Sequence, residues 1–174
     1  MSFLEKLHEV KTFIFDVDGV LTDAFVLIQE DGTLLRMMNT KDGFAIRHAL
    51  TQGYKIFVIT GGKSPGLLAR LKNLGIAEEN IFMDIHDKLD VLRELVRSGR
   101  VDLSNSTYMG DDIPDYAPMR LVLFAACPRD ATHEIKEISQ YISPFDGGRG
   151  CVRDVIEKVL RVQGKWFALD VVSL

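Results

Sequence analysis

The sequence predicts an α/β fold in three layers, a parallel β-sheet flanked by helices on both faces. Apolar runs rich in valine, isoleucine and phenylalanine alternate along the chain with stretches of helical period. The chain has 174 residues, 47% of them apolar, which is enough to build a substantial core. We therefore expect one domain over residues 1–174.

The first half of the chain supplies two strands and two helices of this alternation. TFIFDV at 12–17 is predicted to be a buried strand, and DGFAIRHALTQG at 42–53 a helix. YKIFVIT at 54–60 is predicted to be the next strand. The following helix begins near Ser64 and stops at Gly75, a residue type common just after a helix.

The second half continues the alternation. Its predicted elements are strands at 80–84, 106–109 and 121–127 and helices at 87–99 and 151–164. SPFDGGRG at 143–150 is predicted to be a loop, and 167–174 receives no assignment. Strands that alternate with helices require a parallel sheet covered on both faces, a Rossmann-like arrangement.

One segment interrupts this order directly after the first strand. In AFVLIQEDGTLLRMMN, at 24–39, two extended runs surround Asp31 and Gly32, and Asp-Gly between such runs is a strong hairpin signal. We predict a small β-hairpin at the edge of the sheet where ligands bind. The insertion is too short to be a separate cap domain.

Composition excludes several classes of partner. The formal net charge is -4, and no basic run with interleaved aromatic residues is present, which argues against nucleic acid. The amino terminus lacks the apolar segment of a signal peptide, and no window resembles a membrane span. Cys127 and Cys151 are too few for a disulfide framework and are predicted to be buried thiols. We expect a cytoplasmic protein.

Acidic residues follow two of the predicted strands. Asp16 and Asp18 close the first strand, and GDDIPD supplies Asp111, Asp112 and Asp115 after a later one. The carboxyl ends of the strands of such a sheet converge on one edge, so the two groups could form one site. Clustered carboxylates repel unless a cation compensates, and magnesium is the leading candidate. Either group alone also fits a turn or a helix cap.

Two further features suit an anionic ligand. In VITGGKS, Thr60 and the amides after it could hold phosphate oxygens, because glycine leaves the backbone N–H groups accessible. Lys88, at the predicted start of a helix, would add a positive charge to the helix dipole. Taken singly, the first also fits a simple turn and the second a surface lysine.

The order of these features, a DxD pair, a threonine, a lysine and GDD, resembles that of the haloacid dehalogenase superfamily of phosphohydrolases. The resemblance implies that Asp16 is the nucleophile and Asp18 the general acid for the leaving oxygen, then the base for water. It also implies that Asp16, the backbone carbonyl of Asp18 and Asp111 bind magnesium, with Asp112 supporting the metal shell.

A narrower resemblance covers nearly the whole chain. DVDGVLTD, the hairpin, FAIRHA, GDDIPD and GGRGCVRDVIEKVLRVQGKW look like the capless 3-deoxy-D-manno-octulosonate 8-phosphate phosphatases. This resemblance implies hydrolysis of a phosphorylated eight-carbon sugar acid on the route to lipopolysaccharide. It also implies a homotetramer assembled through the hairpins.

One departure concerns substrate binding. In that family the threonine is commonly followed by Gly-Arg, whereas here Gly61 precedes Gly62 and Lys63. A lysine replaces part of the charge without an arginine's two-point contact. Other candidates to receive the substrate carboxylate, each of which also fits a surface role, are Lys41, Arg47 and Arg149.

Two alternatives remain open from the sequence. Phosphatases for nine-carbon sugar-acid 9-phosphates share the core motifs and the hairpin. A non-catalytic tetramerising module has the same overall shape, but it would not need the complete set of Asp16, Asp18, Thr60, Lys88 and Asp111.

Overall fold

The computed structural model describes residues 1–167. The strands are β1 (Thr12–Phe15), β2 (Leu27–Ile28), β3 (Leu34–Leu35), β4 (Lys55–Ile59), β5 (Ile81–Phe82), β6 (Ser106–Met109), β7 (Phe124–Cys127) and β8 (Tyr141–Ile142). The helices are α1 (Phe3–Glu9), α2 (Thr40–Thr51), α3 (Pro65–Asn73), α4 (Lys88–Arg97), α5 (Ile113–Met119), α6 (His133–Ile138) and α7 (Cys151–Val162).

A six-stranded parallel sheet in the order β5-β4-β1-β6-β7-β8 forms the middle layer. β1 lies at its centre, with Phe15 paired to Val58 on one side and to Met109 on the other. The chain moves from β1 outward to β4 and β5, and then returns to place β6 on the opposite side of β1. The connections therefore diverge between β1 and β6, and open sheets bind ligands at such a switch point.

Alternation within β1 divides the core between two faces of the sheet. Phe13 and Phe15 pack with the cluster that includes α1, α2, α3 and α7, whereas Ile14 packs with the cluster that includes α4, α5 and α6. All three side chains are fully buried. The predicted three-layer α/β fold is confirmed.

The predicted hairpin is also present between β1 and α2. β2 and β3 pair antiparallel, with Leu27 opposite Leu35, and the turn contains Gly32 at a φ of 83°. The Asp31 side chain accepts a hydrogen bond of 2.9 Å from the Thr33 N–H and so closes the turn. Apolar side chains of both hairpin strands are exposed to solvent.

Four short elements were not predicted from the sequence, namely α1, α5, α6 and β8. They span between two and seven residues, too few to produce a recognisable period. Several predicted strands are shorter than expected; the first ends at Phe15, and Val17 lies in the buried turn after it. Of the unassigned stretch 167–174, residues 168–174 lie outside the described residues.

Both cysteines are buried and unbridged, as predicted. Within residues 1–167, each helix is too short or too polar to span a bilayer.

Candidate active site

Three carboxylates meet at the switch point of the sheet. Asp16 directly follows β1, Asp111 lies two residues after β6, and Asp115 lies on α5. One carboxylate oxygen from each lies within 4.8 Å of the others. The structure thus brings together the two acidic groups that the sequence placed at separate strand ends.

Two glycines make this close approach possible. A Cβ atom on Gly19 would lie 2.0 Å from Oδ2 of Asp111, and one on Gly110 would lie 2.3 Å from Cβ of Asp115. Gly19 also has a φ of 93°, in the left-handed region that favours glycine. The glycines of DVDG and MGDD are therefore structural requirements of the acidic cluster.

Lys88, the first residue of α4, balances part of the charge. Its Nζ atom lies 2.8 Å from Oδ1 of Asp16 and 2.7 Å from Oδ1 of Asp115. Asp115 also accepts hydrogen bonds from the Tyr108 hydroxyl at 2.9 Å and from the Asp111 N–H at 3.2 Å. Three groups therefore hold the Asp115 carboxylate, which connects the lysine to the rest of the cluster.

The cluster shifts the pKa values of its members. Burial, followed by the charge of Asp115, raises the pKa of Asp16 well above its usual range, although Lys88 opposes this. The same two causes raise the pKa of Asp111 to about 7. Burial would lower the pKa of Lys88, but the carboxylates of Asp115 and Asp16 outweigh it, so that pKa is raised.

The cluster fits a hard divalent cation. Three carboxylates and one ammonium leave two negative charges to be balanced. The buried Oδ1 atom of Asp111 has no hydrogen-bond partner within residues 1–167. Oxygen ligands of this kind are those that magnesium prefers. Asp16 and Asp111 are the members best suited to hold it, because Asp115 is occupied by Lys88, Tyr108 and the Asp111 amide.

Asp18 stands beside this cluster and forms a two-point ion pair with Arg36. Nε of Arg36 lies 2.7 Å from Oδ1 of Asp18, and Nη2 lies 3.1 Å from Oδ2. Arg36 directly follows β3, so the hairpin places this side chain near the carboxyl end of β1. The predicted metal ligand from Asp18 is its backbone carbonyl, which leaves the side chain available for this contact.

Thr60 lies at the carboxyl end of β4, next to β1. It is buried, and its hydroxyl oxygen accepts a hydrogen bond of 3.0 Å from the Gly62 N–H. The hydroxyl hydrogen therefore remains available for a ligand oxygen. Gly61 lies close to Ile85 and Gly62 close to Asp18, so this loop borders the acidic site.

The basic residues proposed to receive a substrate carboxylate lie in different places. Lys63 is exposed and pairs with Asp84 at 2.8 Å, close to the Thr60 loop. Arg149 contacts Asp23 at the base of the hairpin at 3.1 Å. Lys41 is exposed at the start of α2.

Arg47 is not brought to the site. Its Nη2 atom donates a hydrogen bond of 2.8 Å to the carbonyl of Asn73, the last residue of α3. The Thr60 loop leads into the start of that helix, and the nine residues of the helix, at a rise of about 1.5 Å each, make it roughly 13 Å long. Arg47 therefore caps a helix end remote from the acidic cluster.

Asp112 turns away from the acidic cluster. It is exposed, and as the residue that caps α5 its Oδ1 atom accepts a hydrogen bond from the Ile113 N–H at 2.8 Å. The negative charge of Asp112 still acts on the site, because it contributes to the raised pKa of Asp111.

Sequence reasoning missed two arginines. Arg36 and Arg70 line a cleft of about 370 Å³ between the hairpin and the start of α3. Ser64 at the start of α3 and Met38, three residues after β3, also line the cleft. The only available signal was the position of Arg36 at the end of a hairpin that begins beside Asp18.

The GGRG loop before α7 packs against the loop that carries Asp16 and Asp18. A Cβ atom on Gly147 would lie 2.0 Å from the carbonyl oxygen of Gly19. The Gly148 N–H donates to the Val20 carbonyl at 2.9 Å, and the Cys151 thiol lies 3.2 Å from the same oxygen. The loop thereby stabilises the segment of Gly19 and Val20, which follows the two aspartates.

Comparisons with known proteins give consistent results. No protein-family model matches the chain. A 3-deoxy-D-manno-octulosonate 8-phosphate phosphatase from Salmonella typhi is 32% identical over 162 residues, which cover 93% of this chain and 85% of that protein. The protein of the same name from Escherichia coli strain K12 has the same identity and coverage.

Solved structures agree with this likeness. A 3-deoxy-D-manno-octulosonate 8-phosphate phosphatase from Yersinia pestis matches with a TM-score of 0.89 and 30% identity, over 93% of this chain and 86% of that one. The corresponding protein from Moraxella catarrhalis, solved with a magnesium ion, a phosphate ion and a KDO molecule, matches with a TM-score of 0.89 and 31% identity. That match covers 94% of this chain and 92% of the other.

Proposed function

Because the chain belongs to the 3-deoxy-D-manno-octulosonate 8-phosphate phosphatase family of the haloacid dehalogenase superfamily, we propose that it hydrolyses 3-deoxy-D-manno-octulosonate 8-phosphate with magnesium. The chain is a phosphatase, a phosphoric monoester hydrolase. The observation that carries the proposal is the buried cluster of Asp16, Asp111 and Asp115 with Lys88 at the switch point. The products are the free sugar acid and phosphate, and the step belongs to the formation of lipopolysaccharide precursors.

Asp16 is the nucleophile in this proposal. Its carboxylate oxygen attacks phosphorus, the bond from phosphorus to the sugar oxygen breaks, and Asp18 gives a proton to the departing oxygen. Water then attacks the aspartyl-phosphate while Asp18 accepts a proton from it. Phosphate leaves and the Asp16 carboxylate is restored. The two residues suit different roles, because Asp16 is paired with buried Lys88 and Asp18 with Arg36 from the hairpin.

Positive charge must accompany an anionic nucleophile that approaches an anionic phosphate. Magnesium, held by Asp16, the Asp18 backbone carbonyl and Asp111, supplies charge neutralisation when it is bound. Asp112 is its proposed outer support. Lys88 stays beside Asp16 and binds the transferring group, and Asp115 fixes the lysine in place. The Thr60 hydroxyl and the Gly61 amide hold phosphate oxygens.

The substrate carboxylate is proposed to bind beside the cleft between the hairpin and α3. Arg36 and Arg70 both line this cleft, and Arg70 could bind the carboxylate. The cleft has a volume of about 370 Å³, which suits a sugar acid. Lys63, Lys41 and Arg149 remain proposed contributors at the rim. Arg47 is excluded from the proposal by its contact with the far end of α3.

The experiment that tests this function compares two substrates. Steady-state hydrolysis of 3-deoxy-D-manno-octulosonate 8-phosphate and of a nine-carbon sugar-acid 9-phosphate is measured in parallel with magnesium. We expect a kcat/KM at least about tenfold higher for the eight-carbon substrate. Equal or reversed preference would move the assignment to the nine-carbon phosphatases. Release of phosphate from neither substrate would favour the non-catalytic module.

A homotetramer assembled through the hairpins is part of the proposal. Phe25, Leu27, Ile28 and Met37 are large apolar side chains that the chain exposes on this one small hairpin. Such a patch is typical of an interaction surface. Size-exclusion chromatography with light scattering tests the tetramer, and a monomer at micromolar concentration would refute it.

Two further points complete the proposal. The whole chain, 1–174, acts as one domain, with the insertion at 24–39 as its assembly element. The buried, unbridged thiols of Cys127 and Cys151 suit a reducing compartment, and we place the enzyme in the cytoplasm.

A further inference from the structure

The ion pair between Arg36 and Asp18 joins the hairpin to the proposed acid and base. The Arg36 side chain is only 8% exposed, although it comes from a hairpin whose other side chains are mostly in solvent. Both contacts to Asp18 have good hydrogen-bond distances, 2.7 and 3.1 Å. A planar guanidinium that grips a carboxylate at two points fixes its orientation as well as its charge.

The backbone of the Thr60 loop leaves room for this pair. A Cβ atom on Gly62 would lie 3.1 Å from Nη2 of Arg36 and 3.1 Å from Oδ2 of Asp18. It would also lie 3.4 Å from the Thr60 hydroxyl oxygen. The ion pair between Arg36 and Asp18 thus lies between the hairpin and the Thr60 loop.

One nitrogen atom of the Arg36 guanidinium makes no hydrogen bond within the described residues. This atom, Nη1, is buried. Buried donors without a partner are rare, and a site that awaits a ligand is one explanation for them. Arg36 lines the cleft beside α3, so a ligand in that cleft would lie next to the guanidinium.

We propose that Arg36 is a positioning residue, which orients the Asp18 carboxylate through Nε and Nη2 and donates a hydrogen bond from Nη1 to an oxygen of the bound sugar phosphate. An ionised carboxylate offers about four lone-pair sites, and the guanidinium uses two of them. The others remain for the proton that Asp18 exchanges with the leaving oxygen and with water. The inference rests on the proposed function, in which Asp18 is the acid and base.

A double-mutant cycle tests whether Arg36 acts through Asp18. Arg36→Gln, Asp18→Asn and the double variant are assayed with 3-deoxy-D-manno-octulosonate 8-phosphate and with p-nitrophenyl phosphate. We expect Arg36→Gln to lower kcat by roughly 10- to 100-fold in the wild-type background. In the Asp18→Asn background the same change should lower kcat by less than about threefold. If the double variant loses the product of the two single-variant decreases in kcat, the positioning role is overturned.

The KM values test the unused donor separately. Arg36→Gln should raise KM for the sugar phosphate about tenfold in both backgrounds, because the Nη1 contact does not pass through Asp18. An unchanged KM would overturn that contact. The matched control is Arg97→Gln, which removes an exposed arginine paired with Glu94 on α4 and should leave both constants unchanged.

Folding is checked by thermal melting, and Arg36→Lys serves if the glutamine variant does not fold. A lysine keeps the charge but makes a one-point contact, so its kcat should fall between those of wild type and Arg36→Gln. A kcat equal to that of wild type would overturn the two-point role. Failure of the wild-type enzyme to hydrolyse either phosphate would refute the proposed function itself, a result distinct from all of these.

Discussion

The Nζ atom of Lys88 lies 2.8 Å from the Asp16 carboxylate and is shared with Asp115 at 2.7 Å. One buried cation therefore serves both the proposed nucleophile and a carboxylate that the fold holds through Tyr108. Removal of one partner from such a pair leaves an uncompensated buried charge, which usually destabilises strongly. The lysine offsets one of the three negative charges of the cluster, and the two that remain suit the proposed magnesium ion.

The first prediction concerns the nucleophile. Asp16→Asn removes the attacking oxygen but keeps nearly the same shape, so phosphate release from p-nitrophenyl phosphate should fall by several orders of magnitude while the melting curve remains cooperative. Asp90→Asn, at an exposed position on α4, is the matched control and should retain activity. Normal turnover in Asp16→Asn would remove Asp16 from its proposed role.

The second prediction concerns the metal and is read from stability. Magnesium at 100 times its dissociation constant should stabilise the wild-type protein by about 2.7 kcal/mol. This corresponds to a rise in Tm of roughly 5–10 °C over the protein in EDTA. Asp111→Asn should lose most of that rise because it removes a ligand oxygen, whereas Asp90→Asn should keep it. An equal rise in all three proteins would contradict the assignment of Asp111.

The third prediction concerns pH and Asp42, a buried residue of α2. Its Oδ1 atom accepts the Arg153 N–H of α7 at 2.7 Å, and Oδ2 lacks a partner among residues 1–167. Burial raises the pKa of Asp42 to about 6, above the 3.8 of an unfolded chain. Between these values the folded state holds a proton that the unfolded state has lost, so this group reduces stability as pH rises from about 4 to 6.

Asp42→Asn should remove this dependence. Relative to wild type, the free energy of unfolding of the variant should improve by about 2 kcal/mol between pH 4 and pH 7. Urea denaturation at the two pH values measures the change, and shifts from all other groups cancel in the comparison. A difference between the two proteins that is the same at both pH values would show that Asp42 does not titrate in this range.

The fourth prediction concerns the hairpin. Ile28 is 70% exposed, so Ile28→Asp should leave the melting of an isolated subunit nearly unchanged but break the proposed tetramer. Light scattering should then report a smaller species. Leu4→Asp, at an exposed apolar position on α1, should remain tetrameric. Deletion of residues 30–32 should raise KM for the sugar phosphate and loosen assembly, and unchanged kinetics and size would deny the hairpin a role.

Much of the fold was predictable because its signals are local. Phe13, Ile14 and Phe15 form a continuous apolar run, which is typical of a strand buried on both faces, and Asp31-Gly32 marks the hairpin. By contrast, α6 has six residues and β8 has two. Such short segments show no recognisable hydrophobic period, so they could not be predicted from the sequence.

The site was predictable in its chemistry but not in its detailed geometry. Asp111, Asp112 and Asp115 are equivalent in the sequence, and only the start of α5 at Ile113 decides that Asp112 points outward and Asp115 inward. Arg36 was missed for a related reason. A turn signal predicts the pairing of the two hairpin strands, but the contact between Arg36 and Asp18 depends on tertiary packing.

The contact of Gly147 and Gly148 with Gly19 and Val20 has a consequence during synthesis of the chain. The segment that carries Asp16 leaves the ribosome early, but the loop that supports it follows about 130 residues later. A nascent chain that ends between residues 116 and 146 would hold every proposed catalytic side chain and still lack the Gly147 and Gly148 contacts. We therefore expect enzymatic activity to require translation of the GGRG loop, and chains truncated before that loop to be inactive.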